Sequence, residues 1–363
     1  MEKEQLKQII EIVNSLIDYS QSAIIRNNFV EGFKNNTINS RLYGTYNTFG
    51  AKTFRLTSKQ PNMLNSPSTG SIYAKPIKRC FKAEKGKIFC MTDLSSLEDR
   101  VMANLSKDKN KLALFTEELD GHCLNSYYYF KEEVEKELPR NENETLFDYI
   151  RRYKKATETN PILKTIRQKG KKVTFALSYG AYPSTVAKNL KSSEEYGKII
   201  FDRYHNELYK DITQMRETIL NKALKYGNIH LGLGCYIHTN NAHEDIRTLN
   251  NAVCQFWSII TLLTIEKMYT LIDENKLTND IEIVSSIYDS IYFHVTKDPS
   301  IIHWLNCTLI PIITKDYLKD IIVHNKAEME IGYNWADTVS IPNNASILVI
   351  KQAIKTLDNI DKQ

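Results

Sequence analysis

Apolar and polar positions change period several times along this chain, and each change marks an element. Residues 1–34 interleave apolar and charged side chains at helical spacing, whereas 35–80 are rich in Asn, Thr, Ser and Pro and predict loops and short strands. Lys87-Ile88-Phe89-Cys90-Met91 predicts a buried strand, and helical spacing follows it to about residue 118. Residues 119–226 read as charged helices, with a Glu/Lys/Asn-rich stretch at 131–145 that predicts an exposed insertion. The glycines between Gly227 and Tyr236 predict a hairpin. A long helix is expected over 245–275, then two β-rich runs at 281–287 and 291–295, a helix at 299–316 and a strand at 327–332. Residues 336–363 are uninformative, and the chain has no internal repeat. Strands with interleaved helices of this kind predict an α+β class.

Chemistry enters at Asp93 and Asp289. The first closes the strand at 87–91 and opens Asp93-Leu94-Ser95-Ser96-Leu97-Glu98-Asp99-Arg100; the second lies in the turn Ile287-Tyr288-Asp289-Ser290-Ile291. A carboxylate at a strand end and another in a tight hairpin can meet across a sheet and hold hard cations, which prefer oxygen ligands. Two such cations clamp the attacking and leaving oxygens of a phosphoryl displacement. A lone aspartate at a strand end is more often a cap or a solvated turn, so the segment between the two decides. There Arg167, Lys171, Phe175 and Tyr179 recur every fourth residue along one helical face that ends at Gly180. Arg as a fork and Lys as a point charge suit a triphosphate, and two aromatics suit a sugar and a base. A core stripe would not carry two cations on its own line, and a solvated face would not end in two aromatics.

Together these segments resemble the family A DNA polymerases, the group of bacterial DNA polymerase I and its phage relatives. The family's D-Y-S-x-I-E-L-R appears as D-L-S-S-L-E-D-R from Asp93 to Arg100, and its R-x3-K-x3-F-x3-Y-G is matched at 167–180. Of its H-D-E motif, Tyr288-Asp289-Ser290 keeps the aspartate. The run Thr53 to Pro67 resembles T-G-R-L-S-S-x-x-P-N-L-Q-N-I-P with Leu64 in place of Gln, and Arg247 to Gln255 resembles R-x-x-x-N-A-P-M-Q. The likeness runs in order from about residue 41 to about Trp335.

The resemblance implies a right-hand polymerase fold with an antiparallel-sheet palm and helical fingers, the thumb largely missing and no exonuclease domain. By that pattern 1–40 is a helical remnant of the thumb, 41–118 and 227–335 are the two parts of the palm, 119–226 the fingers and 336–363 a tail. It further implies template-directed DNA synthesis on primer-template DNA from dNTPs. Asp93, the Leu94 carbonyl and Asp289 would hold two Mg2+ ions. Arg167 and Lys171 would grip phosphates, Lys171 doubling as proton donor. Ser95, Glu98, Phe175, Tyr179 and Gly180 would complete the nucleotide site, with Glu98 excluding a 2′-hydroxyl. Arg55, Asn62, Arg100, Arg247, Asn251 and Gln255 would contact DNA. A second polypeptide could supply thumb and exonuclease, or act as a processivity factor. Ser290 also fits single-subunit RNA polymerases, although Glu98 and Phe175 favour deoxynucleotides; a non-catalytic DNA-binding subunit of a split polymerase is the other alternative.

Composition adds little. A net charge of +5 over 363 residues is no global nucleic-acid signature, but 151–172 holds nine Lys/Arg against Glu158 alone, a block suited to phosphates. Glycine pairs such as Gly232 and Gly234 suggest a turn, and His122 after Asp120-Gly121 suggests packing as much as catalysis. Six cysteines without a C-x2-C pair predict free thiols and an intracellular, reducing compartment: cytoplasm or nucleoid, or host cytoplasm for a phage protein. No signal peptide is expected, and no membrane association, because no sequence stretch reads as a span.

Overall fold

The computed structural model describes residues 2–48, 50–67, 73–178 and 180–361. The chain divides into two compact units, one formed by 1–95, 258–314 and 327–363, the other by 96–257 and 315–326.

The first unit is built on five strands, β1 (Lys87–Leu94), β2 (Ile281–Ile287), β3 (Ser290–Thr296), β4 (Ala327–Gly332) and β5 (Thr338–Ile341). They pair antiparallel throughout in the order β5-β4-β1-β3-β2. Alternation gives the sheet two faces. Ile88, Cys90, Phe293, Val295, Met329 and Ile331 are fully buried on one, where helices Ile259–Glu274, Pro299–Ile313 and Ile347–Ile360 pack. The other face carries Phe89, Met91 and Tyr292 with Trp335 against them, and Asp93 beyond. The strands at 281–287 and 327–332 match the sequence expectation, whereas β5 and Ile347–Ile360 lie in the stretch for which none was made. The amphipathic pattern of the N-terminus forms the helix Glu2–Ile25, whose Leu6, Ile9, Val13 and Leu16 are exposed.

The second unit is helical apart from the hairpin Asn228–Gly232/Cys235–His238. Its core joins Leu124, Tyr129, Tyr149, Tyr153, Val173 and Leu177. Buried tyrosines need partners for their hydroxyls, and four of them are bonded: Tyr209 donates to Asn125 Oδ1 (2.7 Å), Tyr149 to the Leu138 carbonyl (2.7 Å), and Tyr129 and Tyr153 bond Thr174 and Ser126. The stretch 131–145 is less detached than expected, because Val134 is fully buried. Helix Pro161–Ser178 turns Leu163, Ile166, Gly170, Val173 and Leu177 inward. A Cβ on Gly170 would lie 2.4 Å from Ser126 Cβ and 2.8 Å from its Cα, an approach open only to glycine.

The helix expected over 245–275 is two helices, Ala242–Gln255 and Ile259–Glu274, joined by a 3-10 turn at Phe256–Ser258. By length and composition this helical run is long and apolar enough to cross a membrane, contrary to the sequence expectation. Of its most apolar stretch 56% is buried inside the protein, as in a core helix. The cysteines Cys80, Cys90, Cys123, Cys235, Cys254 and Cys307 are free, as expected.

His205 supplies a pH dependence. Its ring lies 4.3 Å from Phe201 and 4.9 Å from Tyr204, and Nδ1 is 3.0 Å from Thr213 Oγ1. Burial, and then the Arg216 charge, lower its pKa from the usual 6.5 to about 4. The folded state therefore disfavours the imidazolium: the stability is complete above about 6.5 and is lost as pH falls toward 4. At about 1.4 kcal/mol per tenfold change in proton affinity, the loss by pH 4 is on the order of 3 kcal/mol. Urea unfolding of His205→Gln between pH 7 and 4 should show a shallower acid slope than the wild type; parallel slopes would contradict this.

Candidate active site

The sheet register brings the two aspartates together. Asp93 stands at the end of β1 directly opposite Ser290 of β3, and Asp289 is the residue before Ser290 in a two-residue loop. The Leu94 N–H donates to the Asp289 carbonyl (3.2 Å), fastening the strand end to the loop. The Ser290 hydroxyl donates to Asp93 Oδ1. On its other flank Asp93 faces Glu328 of β4. The Asp93 side chain reaches solvent, yet the protein packed around it raises its pKa above the ordinary carboxylate range. The Ser290 hydrogen bond opposes that rise, and the charges of Glu328 and Glu330 add to it. A carboxylate held in this way gains from a nearby cation. No group of three or more His, Cys, Asp or Glu side chains suited to a metal occurs among the described residues. Two aspartates and a backbone carbonyl are still a fitting donor set for magnesium, which often takes one or two carboxylates and completes its shell with water and substrate phosphates.

The loop itself is strained. Tyr288 has φ 54°, a region that costs a non-glycine residue about 1–2 kcal/mol. The Arg55 guanidinium 5.3 Å from its ring centroid and the Thr261 hydroxyl on its carbonyl (3.3 Å) help to hold it. A two-residue hairpin loop takes a positive φ at its first residue, and Tyr288 supplies it immediately before Asp289. Asn62 is exposed and caps the turn Met63–Asn65, accepting from the Leu64 N–H at 3.0 Å.

In the second unit, Arg167, Lys171 and Phe175 fall on one line of Pro161–Ser178, as their spacing predicts, with Phe175 exposed and Arg167 and Lys171 half-buried beside the buried face. Phe175 is 52% exposed, which removes a core role for it. The Lys171 Nζ lies 5.8 Å from its ring centroid and the His122 ring 6.2 Å away. Arg167 is committed to a fork with Asp120, Nε to Oδ1 at 3.0 Å and the second nitrogen to Oδ2 at 2.7 Å. Burial alone would raise Asp120, but its hydrogen bonds from Arg167 and the Cys123 N–H hold it below the ordinary range. This partner escaped the sequence reading, since nothing local links residues 47 apart.

Tyr179 lies outside the described residues. Beyond it Gly180 has φ 78°, its N–H bonds Leu177 and the Ala181 N–H bonds Ala176, the paired bonds of a glycine-ended helix. Arg216 donates to the Ser178 carbonyl (3.2 Å) and Arg247 to that of Gly180 (3.0 Å). Arg247, Asn251 and Gln255 follow one another at four-residue spacing, the first exposed and the other two half-buried.

The family model for DNA polymerase family A matches residues 1–337. This chain belongs to DNA polymerase family A. The DNA polymerase I of Chloroflexus aurantiacus is 22% identical over 349 residues, an alignment that covers 92% of this chain and 33% of the relative. The thermostable DNA polymerase I of Thermus thermophilus is 30% identical over 129 residues, 35% of this chain and 15% of that protein. Among solved structures, the POL domain of Pol1 from M. smegmatis in complex with DNA primer-template and dNTP has a TM-score of 0.68 at 21% identity, covering 85% of this chain and 50% of that one. The shared fold is the α+β polymerase fold, and the chain spans about a third of the length of the Chloroflexus relative.

Within this family A chain, other residues singled out from the motifs have local duties. Ser95 is half-buried at the end of the carboxylate segment. Glu98 is half-buried in the first turn of Leu97–Ser106, after Ser96 with φ 55°. Arg100 stacks 4.6 Å from the Phe115 ring centroid and donates to the His324 carbonyl at 2.8 Å. The basic block is largely neutralised at its start, where Arg151 pairs with Asp148 and Glu117, Arg152 with Glu144 and Lys154 with Glu158. Glu328 was missed as a neighbour of Asp93, although the alternation of Glu328 and Glu330 in the predicted strand already put both on one face.

Proposed function

We propose that this chain catalyses template-directed DNA synthesis, joining deoxynucleotides to a primer 3′ end with release of pyrophosphate. The observation that carries this reading is the match to family A over 1–337 together with the register that sets Asp93 beside Asp289. The primer 3′-oxygen attacks the α-phosphorus, the bond to the bridging oxygen of the β-phosphate breaks, and the hydroxyl proton passes to solvent. Asp93, the Leu94 carbonyl and Asp289 would hold two magnesium ions, which when bound supply an acidified 3′-hydroxyl and a neutralised leaving group.

The remaining work belongs to side chains. Lys171 places a point charge on the phosphates and can donate a proton to the departing pyrophosphate. Arg167 joins it by exchanging Asp120 for phosphate. Phe175 lies against the sugar, while Tyr179 and Gly180 form the floor under the templating base. Arg55, Asn62, Arg100, Arg247, Asn251 and Gln255 contact primer or template backbone, which positions DNA without reading sequence. The unit with the sheet serves as palm and the helical unit as fingers. A partner polypeptide that grips duplex product would complete the enzyme.

Primer extension with dNTPs and with NTPs tests the reading, and extension by neither would defeat it. Ser290 favours a second reading as an RNA polymerase, which extension by NTPs alone would select. Glu98→Ala sharpens the distinction. Glu98 excludes the 2′-hydroxyl by occupying its space, so truncation should lower the ratio of dNTP to NTP efficiency about tenfold or more, equivalent to roughly 1.4 kcal/mol of exclusion. An unchanged ratio removes Glu98 from sugar selection.

A further inference from the structure

From Gln5 to Ser22 every residue of the helix Glu2–Ile25 is exposed, and an isolated helix gains little stability from its own backbone. Its apolar residues follow a fixed order. Ile10, Ile17 and Ile24 recur every seventh residue, and Leu6, Val13 and Ser20 do the same, interleaved at steps of four and three. That is a heptad, with isoleucine at each a position and Leu6, Val13 and Ser20 at d. Ile9 and Leu16 widen the row at the g positions. The chain meets this helix from behind. Ser22, at an f position opposite the row, bonds the Tyr73 hydroxyl (3.0 Å), and the apolar a and d residues each stay about half exposed.

We propose that this row pairs with the same row of a second copy of the chain, as a two-stranded parallel coiled coil. Isoleucine at a with leucine at d favours two strands in a parallel arrangement, and a twofold axis sets each position against its own equivalent. Charge allows it. Glu11 and Asp18 stand at b, away from the seam, and the e positions Asn14 and Gln21 face Ile9 and Leu16 at g of the other copy, so no like charges meet. Area supports it as well. The seven large apolar residues at a, d and g leave about 100 Å2 each uncovered. Together they offer roughly 700 Å2 per copy, near the roughly 800 Å2 that each partner gives to a standard interface. A membrane surface suits the helix less, because interfacial helices are rich in Lys and Arg on the polar side, and here Glu11 and Asp18 outnumber Lys7.

Sedimentation equilibrium of the full chain without DNA tests the pairing. The wild type should form a concentration-dependent dimer at about 50 μM, within the micromolar range open to an interface of this size. Ile10→Lys combined with Ile17→Lys should weaken association about a hundredfold or more, because each puts a charge into the seam. Ile12→Lys, at a c position outside the row, should leave it within about twofold. Ser20→Cys, at d, should cross-link two copies on mild oxidation. Ser15→Cys, at f, should cross-link no more than the wild type with its native thiols. A wild type that stays monomeric at that concentration would overturn the proposal, and co-sedimentation of that monomer with phosphatidylcholine vesicles would give the row to a membrane instead. A dimer that survives both lysines, or equal cross-linking from Ser15→Cys and Ser20→Cys, would overturn it too, as association through another surface.

Discussion

Asp93→Asn and Asp289→Asn each lower primer extension by about a thousandfold or more and leave DNA affinity within about twofold. A bound cation supplies several kcal/mol of charge stabilisation in the transition state, and about 4 kcal/mol corresponds to a thousandfold in rate. Both substitutions keep side-chain size. In Asp93→Asn the Ser290 hydroxyl retains an acceptor, since it donates to an oxygen that the amide preserves. In Asp289→Asn the Leu94 N–H still meets the backbone carbonyl of residue 289. The fold is thus unchanged while the anionic ligand is lost, and no proposed phosphate contact is touched. Single-turnover extension measures the first effect and fluorescence anisotropy on labelled primer-template the second. Wild-type extension by either variant would rule out the carboxylate assignment.

Phe175→Tyr makes dideoxynucleotides better substrates by a factor of about ten to a hundred or more. With Phe at this position the protein offers nothing in place of a missing 3′-hydroxyl, so a terminator loses an interaction that the natural nucleotide supplies for itself. A tyrosine hydroxyl restores it, and one hydrogen bond to a charged phosphate contributes about 1.5–3 kcal/mol. The structure strengthens the expectation, because Phe175 is 52% exposed and the new hydroxyl would enter solvent and not the core. A melting temperature equal to the wild type should accompany the change. Competition of ddNTP against dNTP in both proteins reads the ratio, and an unaltered ratio would remove Phe175 from the sugar contact.

The parts of the fold written in local periodicity were legible from the sequence. The hairpin around Asp289, the strand at 327–332 and the two-faced helix with Arg167, Lys171 and Phe175 all follow from alternation within a few residues. So was the meeting of Asp93 with Asp289, which needed only one strand end and one turn. What escaped depends on distant partners. The Arg167 fork with Asp120 and the flank that Glu328 gives Asp93 exist only through packing and register. The final helix is a different case. Ser346 caps it, and Ile350, Ala353, Ile354 and Leu357 are buried at helical spacing, so a readable signal was present at 347–360 and went unused. The break at Phe256–Ser258 carries no Gly or Pro to announce it, and Phe256 and Trp257 are both buried there.

Gly170 and Lys171 are neighbours in the chain with opposite freedoms. The 2.4 Å approach to Ser126 confines position 170 to one amino acid, and any side chain there would displace the helix and everything mounted on it. Lys171 is half-buried and Phe175 exposed, and neither is among the buried residues of the helix. The inward face and the line that carries Phe175 can therefore be varied separately along a single helix. For an engineer seeking altered nucleotide range, the position to vary is 175, whereas Lys171 carries a proposed phosphate contact and the inward face through Gly170 is the part to leave alone.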